Sequence, residues 1–179
     1  MKIRGDAHRY GQLAITLHWA SGLAVFVLLA LGLAAANTAD PARAATLLRV
    51  HVPLGVLVLG LTLMRIVWRF FDVRPGDPSG QPRWQALITH VTHVLLYAIL
   101  VLIGFSGIGV MVLSDAAPIL FFGSNAALPH FFDFAPMKAH AFSAFALMGL
   151  LCLHIGAALY HQSYRRDGLL ARMDIDASR

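Results

Sequence analysis

Sorted only into apolar and polar positions, the chain is a series of long apolar runs separated by charge. No Asp, Glu, Lys or Arg lies between Arg9 and Asp40, between Arg83 and Asp115, or between Lys138 and Arg165. At 1.5 Å per residue each interval can hold a helix that crosses a hydrocarbon core of ~30 Å. A fourth run extends from Val50 to Phe71, interrupted only by Arg65 and Arg69 near its end. The runs are continuously apolar rather than alternating, which disfavours a β-barrel. The pattern predicts helices over about 12–36, 51–71, 87–113 and 138–162, hence an all-α, integral membrane four-helix bundle forming a single domain over 1–179. The connection 72–82 is rich in proline and glycine and reads as a turn. The longer connection 114–137 carries Phe121-Phe122 and Phe131-Phe132 and predicts a short interfacial amphipathic element. A cleaved signal peptide competes for the first run, because Leu33-Ala34-Ala35-Ala36 resembles a cleavage region. The length of the run and its His18-Trp19 favour a retained helix.

Composition narrows the class. Of the residues, 58% are hydrophobic and 13% charged, about half the charge of a typical soluble domain, and so apolar a chain does not stay disordered in water. Eleven of the fourteen Lys and Arg fall on one side: Lys2, Arg4 and Arg9 before the first helix, Arg65, Arg69, Arg74 and Arg83 around the second connection, and Arg165, Arg166, Arg172 and Arg179 after the last. Arg43, Arg49 and Lys138 fall on the other. The positive-inside rule puts both termini in the cytoplasm, and explains the basic balance without a nucleic-acid partner. The single cysteine, Cys152, excludes a disulfide framework and a cysteine-built zinc or iron–sulfur site. In an apolar helix it is inert filling more readily than a thiolate ligand.

Nine histidines in such a chain are the informative feature. His8 and His130 fall in a tail and a loop, while the others fall in or at the ends of helices, where a polar group needs a partner. Flanking charges give their depth. His51 follows Arg49 by two residues and His140 follows Lys138 by two, at the outer level. His18 lies nine after Arg9, His93 ten after Arg83 and His154 eleven before Arg165, at the inner level. In the last helix His140, His154 and His161 are separated by multiples of seven and keep nearly one face. His140 and His154 are then ~21 Å apart along the axis.

One imidazole from each of two helices at the same depth is what a six-coordinate haem requires. The outer level offers only His51 and His140 in helices. The inner level leaves His18, His93 and His154 to choose among. Small residues follow the candidates, as close approach of a macrocycle demands: Ser21 and Gly22 after His18, Gly55 after His51, Ser143 and Ala144 after His140, Ala157 and Ala158 after His154. Small residues also serve plain helix packing in membranes. Arg65, fourteen residues after His51 on the same face, suits a haem propionate or a snorkelling anchor equally. The competing class is a histidine-using proton or metal transporter. Such proteins also bring carboxylates into the membrane, whereas this chain has no glutamate and no aspartate inside a predicted span.

The ordered set Leu17-His18-Trp19, His51 with Gly55, Met64-Arg65-Ile66-Val67-Trp68-Arg69, His90-Val91-Thr92-His93 with Tyr97, Lys138-Ala139-His140 and Leu153-His154 resembles the prokaryotic cytochrome b561 family over nearly the whole chain. Many members carry a proline in the second half of the third helix, where this chain has Phe105-Ser106-Gly107. The resemblance implies two b-type haems per chain in a bacterial inner membrane, with His18 and His154 holding the cytoplasmic-side iron and His51 and His140 the outer one. It also implies electron transfer to ubiquinone from a periplasmic one-electron donor, superoxide in the best-described branch, or alternatively exchange with a periplasmic redox partner enzyme. With both axial positions filled, transfer is outer-sphere. His161, His93 and Ser21 are then candidates for a quinone pocket, an imidazole being able to relay a proton, though a helix–helix hydrogen bond explains either histidine as well. Oligomeric state is not legible in the sequence.

Overall fold

The computed structural model describes residues 3–76 and 81–174. Lys2 and Arg179, both counted in the charge asymmetry, lie outside the described residues, as do residues 77–80 of the turn-rich connection. Four long helices carry the chain: α1 (Gln12–Ala36), α2 (Pro41–Phe71), α3 (Arg83–Leu113) and, after the short α4 (Ala117–Phe121), α5 (Ala135–Tyr160). All four are long and apolar enough to cross a bilayer, and no strand occurs among the described residues.

The second helix begins at Pro41, ten residues before the expected start. Apolarity misplaced it because Arg43 and Arg49 break the run, whereas the local stop and start chemistry is explicit. Asp40 is extended and accepts a hydrogen bond from Ala42 N, and Pro41 takes the first helical position, where its missing N–H costs nothing. Asp40→Ala should lower stability by about 1 kcal/mol, read as a modest fall in the melting temperature of the detergent-solubilised protein with its absorption spectrum unchanged. The third helix likewise starts earlier, at Arg83, and α5 runs on into a π-turn, His161–Arg165.

The packing is unequal. α1 lies along α2, α3 lies along α5, and α2 meets α3. α5 approaches α3 closely but stands off from α1 and α2. Polarity is inverted relative to a soluble protein. Ser21, Thr62, Thr92, Ser106 and Ser143 are buried between helices, while Phe26, Leu57, Val94, Val112 and Phe142 face outward. Outward apolar side chains cost nothing against lipid, and small hydroxyls let helix backbones close up. Ser21 and Thr62 settle their own hydroxyls on Leu17 O and Val58 O one turn back.

Both ends of the chain meet the α2–α3 connection at one end of the bundle. Gly5 N donates to Asp72 Oδ1, Arg172 Nη1 to Gly76 O, and Trp19 Nε1 to Met173 O. At the other end α4 folds over α2, where Arg49 Nε donates to Leu120 O at 2.7 Å. Leu120 is buried while Phe121 and Phe122 remain exposed, the amphipathic split expected of that segment.

Candidate functional site

Five histidines gather into two groups along the inner face of α5. At the outer level the rings of His51 on α2 and His140 on α5 have centroids 6.2 Å apart. At the inner level His18 on α1 lies 6.2 Å from His154 on α5, and His93 on α3 lies 5.2 Å from the same ring. Both pairs that include α1 or α2 bridge the seam across which α5 stands off. The heptad spacing explains why one helix serves both levels: His140 and His154 share a face because fourteen residues are close to four turns.

Each level has a supporting shell. His140 Nδ1 donates to Ile103 O at 2.9 Å and lies 3.3 Å from Ser106 Oγ, which leaves Nε2 free. Ser106 and Gly107 both stand against this imidazole. A Cβ on Gly107 would sit 3.1 Å from His140 Cε1, and one on Gly32 would sit 3.0 Å from His51 Cε1. These two glycines leave the room that the outer rings occupy, and sequence reading missed them because glycine is common throughout membrane helices. His51 Nδ1 is buried and has no hydrogen-bond partner among the described residues.

At the inner level Arg65 turns into the bundle rather than out to the interface. Its Nη1 donates to Ser21 Oγ at 2.9 Å, its Nη2 lies 3.0 Å from His18 Nδ1, and its guanidinium sits 5.4 Å from the Tyr97 ring centre. A guanidinium only donates, so His18 Nδ1 accepts here and Nε2 carries the ring hydrogen. Beside this group lies a cavity of about 60 Å³ whose lining includes Tyr10, Arg65, Trp68, Arg69, Tyr97 and Met173.

The remaining candidates separate clearly. His161 stands apart from the inner group, in the π-turn, with Nδ1 2.5 Å from Asp167 Oδ2. The Asp167 carboxyl is held below the usual carboxylate range: burial pushes it up, but the His161 hydrogen bond and charge, the Leu169 N–H and Arg165 together outweigh that. His90 bonds its own helix at Ala86 O, His130 pairs with Asp133 at the exposed surface, and Cys152 is exposed.

Residues 9–173 match the sequence profile of prokaryotic cytochrome b561. The chain belongs to the prokaryotic cytochrome b561 family. It is 29% identical over 184 residues to cytochrome b561 homolog 2 of Escherichia coli strain K12, covering 97% of this chain and 95% of that protein. To cytochrome b561 homolog 1 of the same organism it is 28% identical over 174 residues, covering 93% and 97%. As a family member it is a bacterial membrane protein that binds haem b and takes part in electron transfer. That membership displaces the transporter reading of its histidines.

Proposed function

We propose that the chain binds two haems b and carries electrons across the bacterial inner membrane between a periplasmic one-electron donor and the ubiquinone pool, with both termini cytoplasmic. Haem b supplies the one-electron redox chemistry at each level. His18 and His154 would hold the inner iron, and His51 and His140 the outer.

The observation that carries the reading is the spacing of the two ring pairs. Metal–imidazole bonds of about 2 Å put the centres of two axial imidazole rings about 6.3 Å apart. Both pairs that bridge the seam have 6.2 Å, while His93 and His154 are closer, at 5.2 Å. His93 therefore reads as a neighbour of the inner site and not as its ligand. The hydrogen bonds behind the rings agree. Ile103 O fixes His140 with Nε2 available, the tautomer that an Nε2 ligand needs. With His18 Nε2 given to iron, its ring hydrogen sits on Nδ1, and Arg65 Nη2 loses that acceptor. The guanidinium keeps Ser21 and Tyr97 and becomes available to a haem propionate.

Orientation rests on the arginines. Arg4, Arg9, Arg69, Arg74, Arg165, Arg166 and Arg172 belong to the end where both chain ends meet, which the positive-inside rule makes cytoplasmic. His161, at that end, is the first candidate to give a proton to bound ubiquinone, with Ser21 and His93 nearer the inner pair. The donor is less constrained. An anionic donor such as superoxide gains from a positive surface, but Arg43, Arg49 and Lys138 at the outer end are balanced by Asp40, Asp115 and Asp133. Arg49 is also engaged by Leu120 O. This neutrality favours a periplasmic redox partner enzyme as the second reading.

The test is a dithionite-reduced minus oxidised spectrum of the purified protein with a pyridine haemochrome count. Two haems per chain with a sharp b-type α band is the expected result. One haem per chain would sink one of the two ligand pairs.

A further inference from the structure

After α5 the chain does not simply leave the membrane. The helix widens into the π-turn His161–Arg165, then reverses through two residues in the left-handed region, Arg166 (φ 51) and Gly168 (φ 72). Arg166 is not a glycine, so the reversal holds a side chain in a conformation that isolated peptides avoid, and the surroundings must over-determine it. The effect is local: Asp167, between the two, turns back until its carboxylate meets His161 Nδ1 at 2.5 Å, six residues away. Beyond it Leu170–Met173 forms one 3₁₀ turn anchored on Trp19 and on residue 76. The side chains of His161 and Asp167 are only 13% and 19% exposed, at the end of the bundle that carries both termini.

We propose that Asp167 is a positioning residue for His161, and that the pair forms the proton-entry group for a bound ubiquinone. This rests on the reading above, in which quinone is reduced at the inner side and His161 faces it. The chemistry requires two electrons and two protons for each quinol, and the bundle interior contains no carboxylate that could supply the protons. The carboxylate of Asp167 accepts the Nδ1–H, which fixes the ring orientation and reserves Nε2 for the quinone oxygen. In each half of the reduction the imidazolium breaks its Nε2–H bond and the quinone oxygen forms an O–H bond. Haem b would supply one electron in each half, and the neutral imidazole regains its Nε2 proton from cytoplasmic water while the Asp167 carboxylate stays ionised on the Nδ1 side. Two such cycles complete the quinol. The arrangement matches an orienting carboxylate behind a general acid, in which the carboxylate stays ionised throughout. The charged and titratable groups facing the pair are Arg165, whose Nε is 3.9 Å from Asp167 Oδ2, and Tyr160, with its ring centre 5.7 Å from that of His161.

The experiment uses the haem-loaded full chain in liposomes, reduced with dithionite and then mixed with decyl-ubiquinone, following reoxidation of the α band across neutral pH. Asp167→Asn should slow reoxidation by roughly 10- to 100-fold, as loss of an outer partner of a functional imidazole does, with both haem bands unchanged. Asp167→Glu should recover most of the rate. His161→Ala should be at least as slow as Asp167→Asn, and the double variant no slower than His161→Ala alone. A wild-type rate in Asp167→Asn, with His161→Ala slow, would overturn the pair and leave the quinone reading standing. A wild-type rate in His161→Ala would remove His161 from the quinone site and the pair with it. Loss of a haem band in Asp167→Asn would make the contact a structural latch and overturn the proposal as well.

Discussion

Replacing His154 with alanine should empty the inner haem site and halve the pyridine haemochrome count, from two haems per chain to one. The His93 ring, 5.2 Å from that of His154, approaches from α3 and not from α5, so the variant removes the one imidazole that α5 presents at this level. The inner site lies between the outer one and the end where quinone would be met, so decyl-ubiquinone should no longer reoxidise the remaining band. His93→Ala is the informative companion: it should retain both haems, with at most a shift of potential from the lost neighbour. If His93→Ala instead loses the inner band while His18→Ala keeps it, the inner ligands are His93 and His154, and the ring spacing has been misread. The count, the α-band maxima and a redox titration of each variant distinguish these outcomes.

The second large effect concerns a residue with no side chain. Gly107→Val should abolish the outer haem and spare the inner one, although no ligand is altered. A Cβ at Gly107 would already stand 3.1 Å from His140 Cε1 and 3.3 Å from its Nδ1. A branched side chain there must push the ring off Ile103 O, which holds it at 2.9 Å. Forced overpacking of this kind costs typically 1–3 kcal/mol, and the ring can relieve it by rotating out of line with His51. Gly107→Ala should be intermediate, with reduced outer occupancy. The check is the haemochrome count beside the α-band spectrum, since the two levels are expected to differ in band position or potential. Full outer occupancy in Gly107→Val would show that the close approach is incidental to the site.

What the sequence made legible follows from what lipid demands. Charge-free intervals located the membrane helices, and the distance of each histidine from the nearest flanking charge gave two levels before any contact was known. His51 and His140 paired at once because no other helical histidine shares their depth. His18 and His93 could not be separated that way, since depth says nothing about which side of a ring a neighbour occupies. Arg65 was equally ambiguous, because a long cationic side chain can turn inward or snorkel outward from one backbone position. Ser21 Oγ and Tyr97 decide its direction, and both depend on how α1 and α3 rotate about their axes. The start of α2 was legible in the Asp40-Pro41 cap, but the hydropathy of the run concealed it. The return of Asp167 onto His161 had no sequence signal, because it depends on a left-handed arginine.

The use of one helix at both levels also bears on how the protein is made. α1 and α2 are synthesised first and pack as a pair, and each carries one imidazole with no second imidazole to face on the other. Both partners arrive with α5, the last long helix to leave the ribosome and enter the bilayer. A nascent chain that stops before residue 137 therefore holds half of each site and completes neither. With the ligands proposed above, neither site could take up its prosthetic group before α5 has inserted, and the two would be completed within fourteen residues of each other.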